Sequence, residues 1–219
     1  MKVEFATSRS QEIYEMADLA VIGVSPFNSY FSEGQIARLA KWAQSHFKRV
    51  MFFIPDNAAE YTQIALGYEE EKARKRARRQ CHYLHNKVYR ASGSCAVDSE
   101  LVDSEWLKQS ELYSRWLYQF EQEFHLNDGF REGCLEASRW VLEHHLAEEE
   151  VTFEMVSIAV RYLLAELPVI LHSADIVGTD SSCFCYHSCP RYLDDLFHES
   201  GQEAAGERNG YVIVRNDGE

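Results

Sequence analysis

Three short stretches of this 219-residue chain carry side chains able to do chemistry. In Gly23-Val24-Ser25-Pro26-Phe27-Asn28-Ser29-Tyr30-Phe31 a serine follows an apolar run and stands two residues after a glycine. A serine at the carboxyl end of a buried strand can face a pocket and act as a nucleophile. It does not form the Gly-x-Ser-x-Gly elbow, because Phe27 occupies the place of the second glycine. Alone, the pattern favours a turn serine. In Tyr162-Leu-Leu-Ala-Glu166-Leu-Pro168 a phenol and a carboxylate stand four apart, on one face of a helix. On an apolar helix, with Met155 and Ala159 on the same stripe, that pair can clamp an ammonium by charge and hydrogen bonding. A surface glutamate beside a half-buried tyrosine fits the same residues. Cys183-Phe-Cys185-Tyr-His187-Ser-Cys189 is dense enough to suggest zinc, yet lacks the paired spacing of a finger. In a strand, Cys183 and Cys185 face one side, and Phe184 and Tyr186 the other. Buried apolar cysteines are the preferred reading; no metal is expected, and Tyr186 is the side chain that can reach a site.

The elements that must hold these residues follow from apolar patterning. Leu19–Val24 is continuous, partly β-branched and stopped by Ser25-Pro26, as in a buried central strand. Ser32 stands three before Gln35, a capping-box spacing, and Ile36, Leu39, Ala40, Ala43 and Phe47 repeat at helical intervals behind it. Val50–Ile54 reads as a second buried strand. Strand, loop, helix and strand open a parallel sheet with helices on its faces. Ligands bind at the carboxyl ends of such strands, where residues 25–30 lie. Residues 57–91 read as helical with a break near Gly67. Helices are expected over 104–125 and 128–146, with Trp106, Trp116, Trp140 and Val141 among their core positions. Another helix is expected from Thr152 to Leu167-Pro168, and short strands at Val169–Leu171, Ser182–Tyr186 and Tyr211–Arg215. With no repeat and no linker, one domain over 1–219 is expected.

Composition bounds the partners. The chain is 46% hydrophobic and 26% charged, ordinary for a globular protein. Six cysteines are too few for a disulfide scaffold. The first ten residues lack the apolar core of a signal peptide, and no apolar run approaches the roughly 20 residues of a membrane span. A cytoplasmic protein with no membrane contact is expected. The net charge of −13 argues against nucleic acid until it is resolved along the chain. Residues 69–90 carry +5, through Lys72, Arg74, Lys75, Arg76, Arg78, Arg79, Lys87 and Arg90, while the rest carries −18. A solvated helix with acidic residues at its head accounts for the order of the charges. The steepness of the asymmetry favours a local site for RNA or another polyanion. There is no Walker A sequence, no Gly-x-Gly-x-x-Gly fingerprint and no kinase signature set, so no ATP and no cofactor are expected.

Taken together, the stretches Gly23–Phe31, Tyr162–Pro168 and Cys185-Tyr186-His187 resemble the cyclodipeptide synthases. Their order matches, as do the 24-residue step from Tyr162 to Tyr186, the basic helix after the second strand and the closing Tyr211–Arg215. Asn28 with Tyr186-His187 resembles the subfamily marked by Asn, Tyr and His at these places. The resemblance runs from about residue 19 to residue 215. It implies a Rossmann-like α/β domain with a mainly parallel sheet flanked by helices, similar to the catalytic domains of class I tyrosyl- and tryptophanyl-tRNA synthetases.

It further implies a reaction with two aminoacyl-tRNAs that yields a cyclic dipeptide, a 2,5-diketopiperazine. Ser25 would take the first aminoacyl group and then carry a dipeptide. Tyr162 and Glu166 would hold its ammonium, and Tyr186 would relay protons with Asn28 and His187 around it. Val21, Gly23, Val169 and Phe184 would form the first aminoacyl pocket, favouring an apolar or aromatic residue. The basic helix at about 69–91 would dock tRNA, and a monomer is expected. An aminoacyl ester is already activated, which agrees with the missing nucleotide motifs. Two other readings differ in what they require. An aminoacyl-tRNA deacylase or serine esterase needs a histidine base beside Ser25. A non-catalytic RNA-binding module leaves Ser25, Tyr162, Glu166 and Tyr186 scattered.

Overall fold

The computed structural model describes residues 1–198 and 206–216; the expected domain's remaining positions lie outside these. Six strands form one sheet: β1 (Lys2–Phe5), β2 (Leu19–Gly23), β3 (Arg49–Phe53), β4 (Glu100–Val102), β5 (Ser182–Tyr186) and β6 (Asn209–Arg215). Their order is β1-β6-β5-β2-β3-β4, with β1 antiparallel at the edge and every other pair parallel. Counting only the parallel strands, the chain starts in the middle and winds outward in both directions, the doubly wound order. The winding reverses between β2 and β5, and a crevice forms at their carboxyl ends.

Alternation along the buried strands separates two cores. Ala20, Ile22, Cys183, Cys185, Val212 and Val214 face α1 (Ser8–Met16), α2 (Glu33–Gln44) and α4 (Glu70–Cys95). Leu19, Val21, Met51, Phe53, Phe184 and Tyr211 face α5 (Ser104–Lys108), α6 (Glu111–Leu126), α7 (Asp128–Glu143), α8 (Phe153–Val177) and α9 (Arg191–His198). The short α3 (Ala59–Ala65) packs against both α4 and α8. Each fully buried Leu, Ile or Val contributes about 1.5–3 kcal/mol, and a one-residue slip of β2 would exchange its two faces. The expected division of Cys183 and Cys185 from Phe184 and Tyr186 is therefore present.

Local signals account for most elements. Ser32 Oγ accepts from Gln35 N at 3.2 Å and starts α2. Gly67, at φ +87°, ends α3, and Tyr68 N donates back to Gln63 O at 3.1 Å. In α4, Ala73, Ala77, Cys81, Leu84, Val88 and Ala91 are buried at helical spacing, which turns the intervening basic residues outward.

Other expectations fail for identifiable reasons. Val169–Leu171 is not a strand; it is the interior of α8, which runs through Pro168 and loses regularity at His172 (φ −137°, ψ 25°). These residues are buried all round, so they lack the polar face by which a helix is recognised. The proline removes one backbone hydrogen bond and cannot end a helix held on every side. The helix expected over 104–125 is interrupted, and Ser110 Oγ caps its second part by accepting from Tyr113 N at 3.2 Å. Strands β1 and β4 and helices α1 and α9 had no assigned signal. Among the described residues α8 alone is long and apolar enough to cross a membrane, and it packs against α3, α6, α7, β5 and β6.

Candidate active site

The loop after β2 and the end of β5 meet at the winding reversal. Ser25 Oγ lies 2.8 Å from the Tyr186 hydroxyl. Asn28 Nδ2 donates to the same hydroxyl at 3.4 Å and meets His187 Nε2 at 3.0 Å, while Asn28 Oδ1 accepts from Tyr30 N at 2.9 Å. The Tyr30 and His187 rings pack at 4.4 Å, and Arg215 Nε donates to the His187 carbonyl at 3.1 Å. Asn28 thus orients both Tyr186 and His187, and its side-chain oxygen ties its own loop through the Tyr30 N–H. From the other side α8 delivers Tyr162 and Glu166, which line the same cavity as Ser25. Ser25, Asn28, Tyr162, Glu166, Tyr186 and His187 line one cavity of about 460 Å³. A module with these groups scattered is a different molecule from this one.

Desolvation dominates the site's electrostatics. Burial raises the Glu166 carboxyl to about 8, and the hydrogen bond from Tyr162 opposes part of that rise. Burial also raises Tyr186 to about 12; Ser25 and Asn28 hydrogen bonds pull it down, and the Glu166 charge pushes it up. Tyr162 lies well above its ordinary value, chiefly through burial and then the neighbouring Glu166 charge. Both phenols are neutral donors near pH 7. The glutamate holds its proton until a cation arrives beside it.

The cavity wall is largely apolar. Gly23 permits a close approach: a Cβ there would stand 2.7 Å from Phe184 Cζ and 3.2 Å from Tyr186 Cδ2. Of the four expected pocket residues, Gly23 and Phe184 line the cavity. Val21 and Val169 do not; at 1% and 3% exposure they belong to the core that supports Phe184. Because residues 169–171 are helical, Ile170 is the neighbour that reaches the wall, with Leu163 about two turns earlier. The far rim is Trp140, Val141, His144 and His145 of α7 and its end. Trp140 and Val141, expected in the core, are 41% and 39% exposed; Leu142 takes the buried place. Their apolar spacing on an amphipathic helix did not distinguish a core face from a cavity face.

Phe27, two residues after Ser25, adopts φ +66°. That left-handed conformation costs a residue with a Cβ about 1–2 kcal/mol. Its ring lies under the Arg76 guanidinium at 5.5 Å, and the same group lies over Tyr68 at 4.9 Å. Neither the backbone conformation nor the stack had a signature in the residues.

The eight basic residues expected to dock RNA differ in their engagements. Arg74 pairs with Glu60 and Glu70 at 3.1 and 2.8 Å, Lys75 with Glu71 at 2.6 Å, and Arg90 with Glu33 at 2.8 Å. Lys87 Nζ donates to the Phe31 carbonyl at 3.4 Å. Lys72, Arg78 and Arg79 are exposed and pair with no described acid. Exposed pairs are worth about 0–1 kcal/mol, so phosphates can replace those partners. A separate convergence of Asp56, His85 and Asp103, with ligand atoms within 4.8 Å, contributes nothing to the cavity wall. Its aspartates serve the backbone: Asp56 Oδ1 accepts from Ser104 N and Asp103 Oδ1 from Trp106 N, both at 2.9 Å.

A doubly wound, mainly parallel sheet with a crevice at its winding reversal places the chain in the class of Rossmann-like α/β proteins. The tyrosyl-tRNA synthetase of Archaeoglobus fulgidus shares this fold, with a TM-score of 0.56 at 14% identity over 96% of this chain and 60% of that one. Within the class the chain belongs to the cyclodipeptide synthase family, whose model matches residues 1–216. It is 28% identical to a cyclo(L-leucyl-L-leucyl) synthase of Bacillus subtilis, over 97% of this chain and 88% of the relative. A cyclodipeptide synthase structure from Bacillus thermoamylovorans superposes with a TM-score of 0.91 at 26% identity, covering 99% and 96% of the two chains. Members of this family are enzymes that form cyclic dipeptides from aminoacyl-tRNAs.

Proposed function

We propose that this chain joins two aminoacyl groups from aminoacyl-tRNAs through an ester on Ser25 and releases a 2,5-diketopiperazine. The observation that carries this reading is the Ser25 hydroxyl, 2.8 Å from Tyr186, in one cavity with Tyr162 and Glu166. Ser25 Oγ attacks the ester carbonyl of the first aminoacyl-tRNA. An Oγ–C bond forms, the bond to the ribose oxygen breaks, and the serine proton ends on the ribose hydroxyl. No strong protein base is required, because the leaving oxygen takes the proton. This accommodates hydroxyl rather than imidazole partners at Ser25, which a serine esterase does not.

The bound aminoacyl group presents its ammonium to Glu166 and Tyr162. A carboxyl raised to about 8 ionises when that cation arrives, yet is basic enough to accept a proton as the amine attacks. That amine attacks the ester carbonyl of the second aminoacyl-tRNA, forming the peptide bond and releasing the second tRNA. The new terminal amine then attacks the Ser25 ester, and the ring closes. Tyr186 gives its proton to the departing Oγ, across the 2.8 Å already present, and takes the proton that the attacking amine loses. Asn28 and His187 hold Tyr186 for that step.

The wall of Gly23, Leu163, Ile170 and Phe184 suits an apolar aminoacyl side chain. Phe184 lies across Gly23 and closes the pocket floor, which favours an aliphatic group over an aromatic one. The outward face of α4 docks tRNA, with Lys72, Arg78 and Arg79 the most available cations. The site is complete within one chain, consistent with a monomer acting in the cytoplasm, where charged tRNA is found. The test is expression in bacteria with mass spectrometry of the medium. Diketopiperazines containing an aliphatic residue are expected from the wild type and none from Ser25→Ala. Undiminished product from that variant removes Ser25 as the nucleophile. Free amino acids from charged tRNA in place of cyclic product establish a deacylase.

A further inference from the structure

Arg76 takes part in two structures at once. It stands exposed on α4 among the cations assigned to tRNA, and its guanidinium covers the rings of Tyr68 and Phe27. Tyr68 is placed by the turn at Gly67, whose positive φ brings the chain from α3 to α4. Phe27 belongs to the Ser25 loop, lines the cavity and holds φ +66°. A glycine would adopt that conformation freely, whereas an aromatic residue needs outside contacts to stay there. The contact on the solvent side is Arg76. A guanidinium stacks through its faces and donates five N–H groups from its edges, so a phosphate at the edge leaves the stack intact.

Resting on the assignments of Ser25 as nucleophile and α4 as docking helix, we propose that Arg76 is a positioning residue that couples the two. Its stack on Tyr68 and Phe27 holds the Ser25 loop in the shape that accepts an acyl group. A tRNA phosphate bound at its edge reinforces that hold, so correct docking readies the nucleophile. Arg78 and Arg79 have no ring contact and serve as controls that bind phosphate only.

The experiment is single-turnover transfer of a labelled aminoacyl group from tRNA to the full-length enzyme, with the Kd for the same aminoacyl-tRNA measured in parallel. Arg76→Lys keeps the charge and loses the planar stack. It should slow acylation at saturation about tenfold while changing Kd by no more than about twofold. Phe27→Leu should slow it similarly, and the double variant should be no slower than either single one, as for two halves of one contact. Arg78→Gln with Arg79→Gln should raise Kd instead. An Arg76→Lys enzyme that acylates at the wild-type rate and only binds more weakly overturns the proposal. So does a double variant whose losses multiply, or a slowing explained by a lower fraction of folded protein in thermal unfolding. Wild-type acylation, absent in Ser25→Ala, is read in the same assay. Its absence from the wild type overturns the nucleophile assignment itself, a result distinct from an unaffected Arg76→Lys.

Discussion

Strand β5 carries a polar network at each end, built from similar residues and put to opposite uses. At its amino end Ser182 Oγ meets Ser173 Oγ at 2.7 Å and donates to Asn209 Oδ1 at 2.9 Å. The same Asn209 oxygen accepts from Ala174 N at 2.8 Å, and all three side chains are buried. These bonds join α8, β5 and β6. At the carboxyl end Tyr186, Ser25, Asn28 and His187 form a comparable set, but they border a cavity and share it with a buried carboxylate. The difference follows from the winding. Chains diverge from β2 and β5 at their carboxyl ends and open a crevice there, whereas the amino ends are closed by the kinked end of α8. Residue type alone therefore says little; place in the sheet decides whether a serine and an asparagine hold the fold together or act on a substrate.

Exchanging one residue at each end breaks this comparison where it is most exposed. Tyr186→Phe removes the hydroxyl nearest Ser25 without changing the ring. It should lower cyclodipeptide formation about 10²-fold or more, with the unfolding midpoint nearly unmoved. Product formation within a few-fold of wild type would move the proton relay to another group. Asn209→Ala, at the other end, should behave in reverse. It leaves the Ala174 N–H and one of the two serine hydroxyls buried without an acceptor, costing about 1–3 kcal/mol. Chemical denaturation should show that loss, while activity per folded molecule stays at the wild-type level. A loss of turnover without a loss of stability would make the amino-end network part of the chemistry.

Much of this arrangement was legible in the residues, and the gaps have physical causes. β2 and β3 are buried on both faces and so appear as short unbroken apolar runs. Ser32 and Gly67 mark helix boundaries by mechanisms that act within a few residues. The resemblance rested on Ser25, Tyr162, Glu166 and Tyr186, which the fold brings to one cavity, although their chemical roles await the experiments above. What could not be read depends on distant contacts. Helix α8 masquerades as helix plus strand because burial on all sides erases its polar face. Trp140 faces a cavity rather than a core, a distinction invisible to periodicity. The Phe27 conformation is held by an arginine 49 residues away, and no local pattern announces it.

A pH-dependent exchange sharpens the comparison most, because it reads the cost of keeping a carboxylate at one end only. Glu166 titrates near 8 in the fold because it is desolvated, against 4.5 for the unfolded chain. Between those values the native state binds more protons than the unfolded state. Its stability is therefore intact below about pH 4.5 and declines as pH rises through about 8. Glu166→Gln cannot ionise and escapes that decline. Its unfolding midpoint should match the wild type near pH 4 and exceed it near pH 8.5, by a margin that widens as pH rises between about 4.5 and 8. Asn209→Ala should show the same deficit at both pH values, since the groups that lose their acceptor are serine hydroxyls and a backbone N–H. A Glu166→Gln advantage that does not grow with pH would mean the carboxyl is solvated or already paired in the free enzyme, and the ammonium would then meet a site whose charge was in place beforehand.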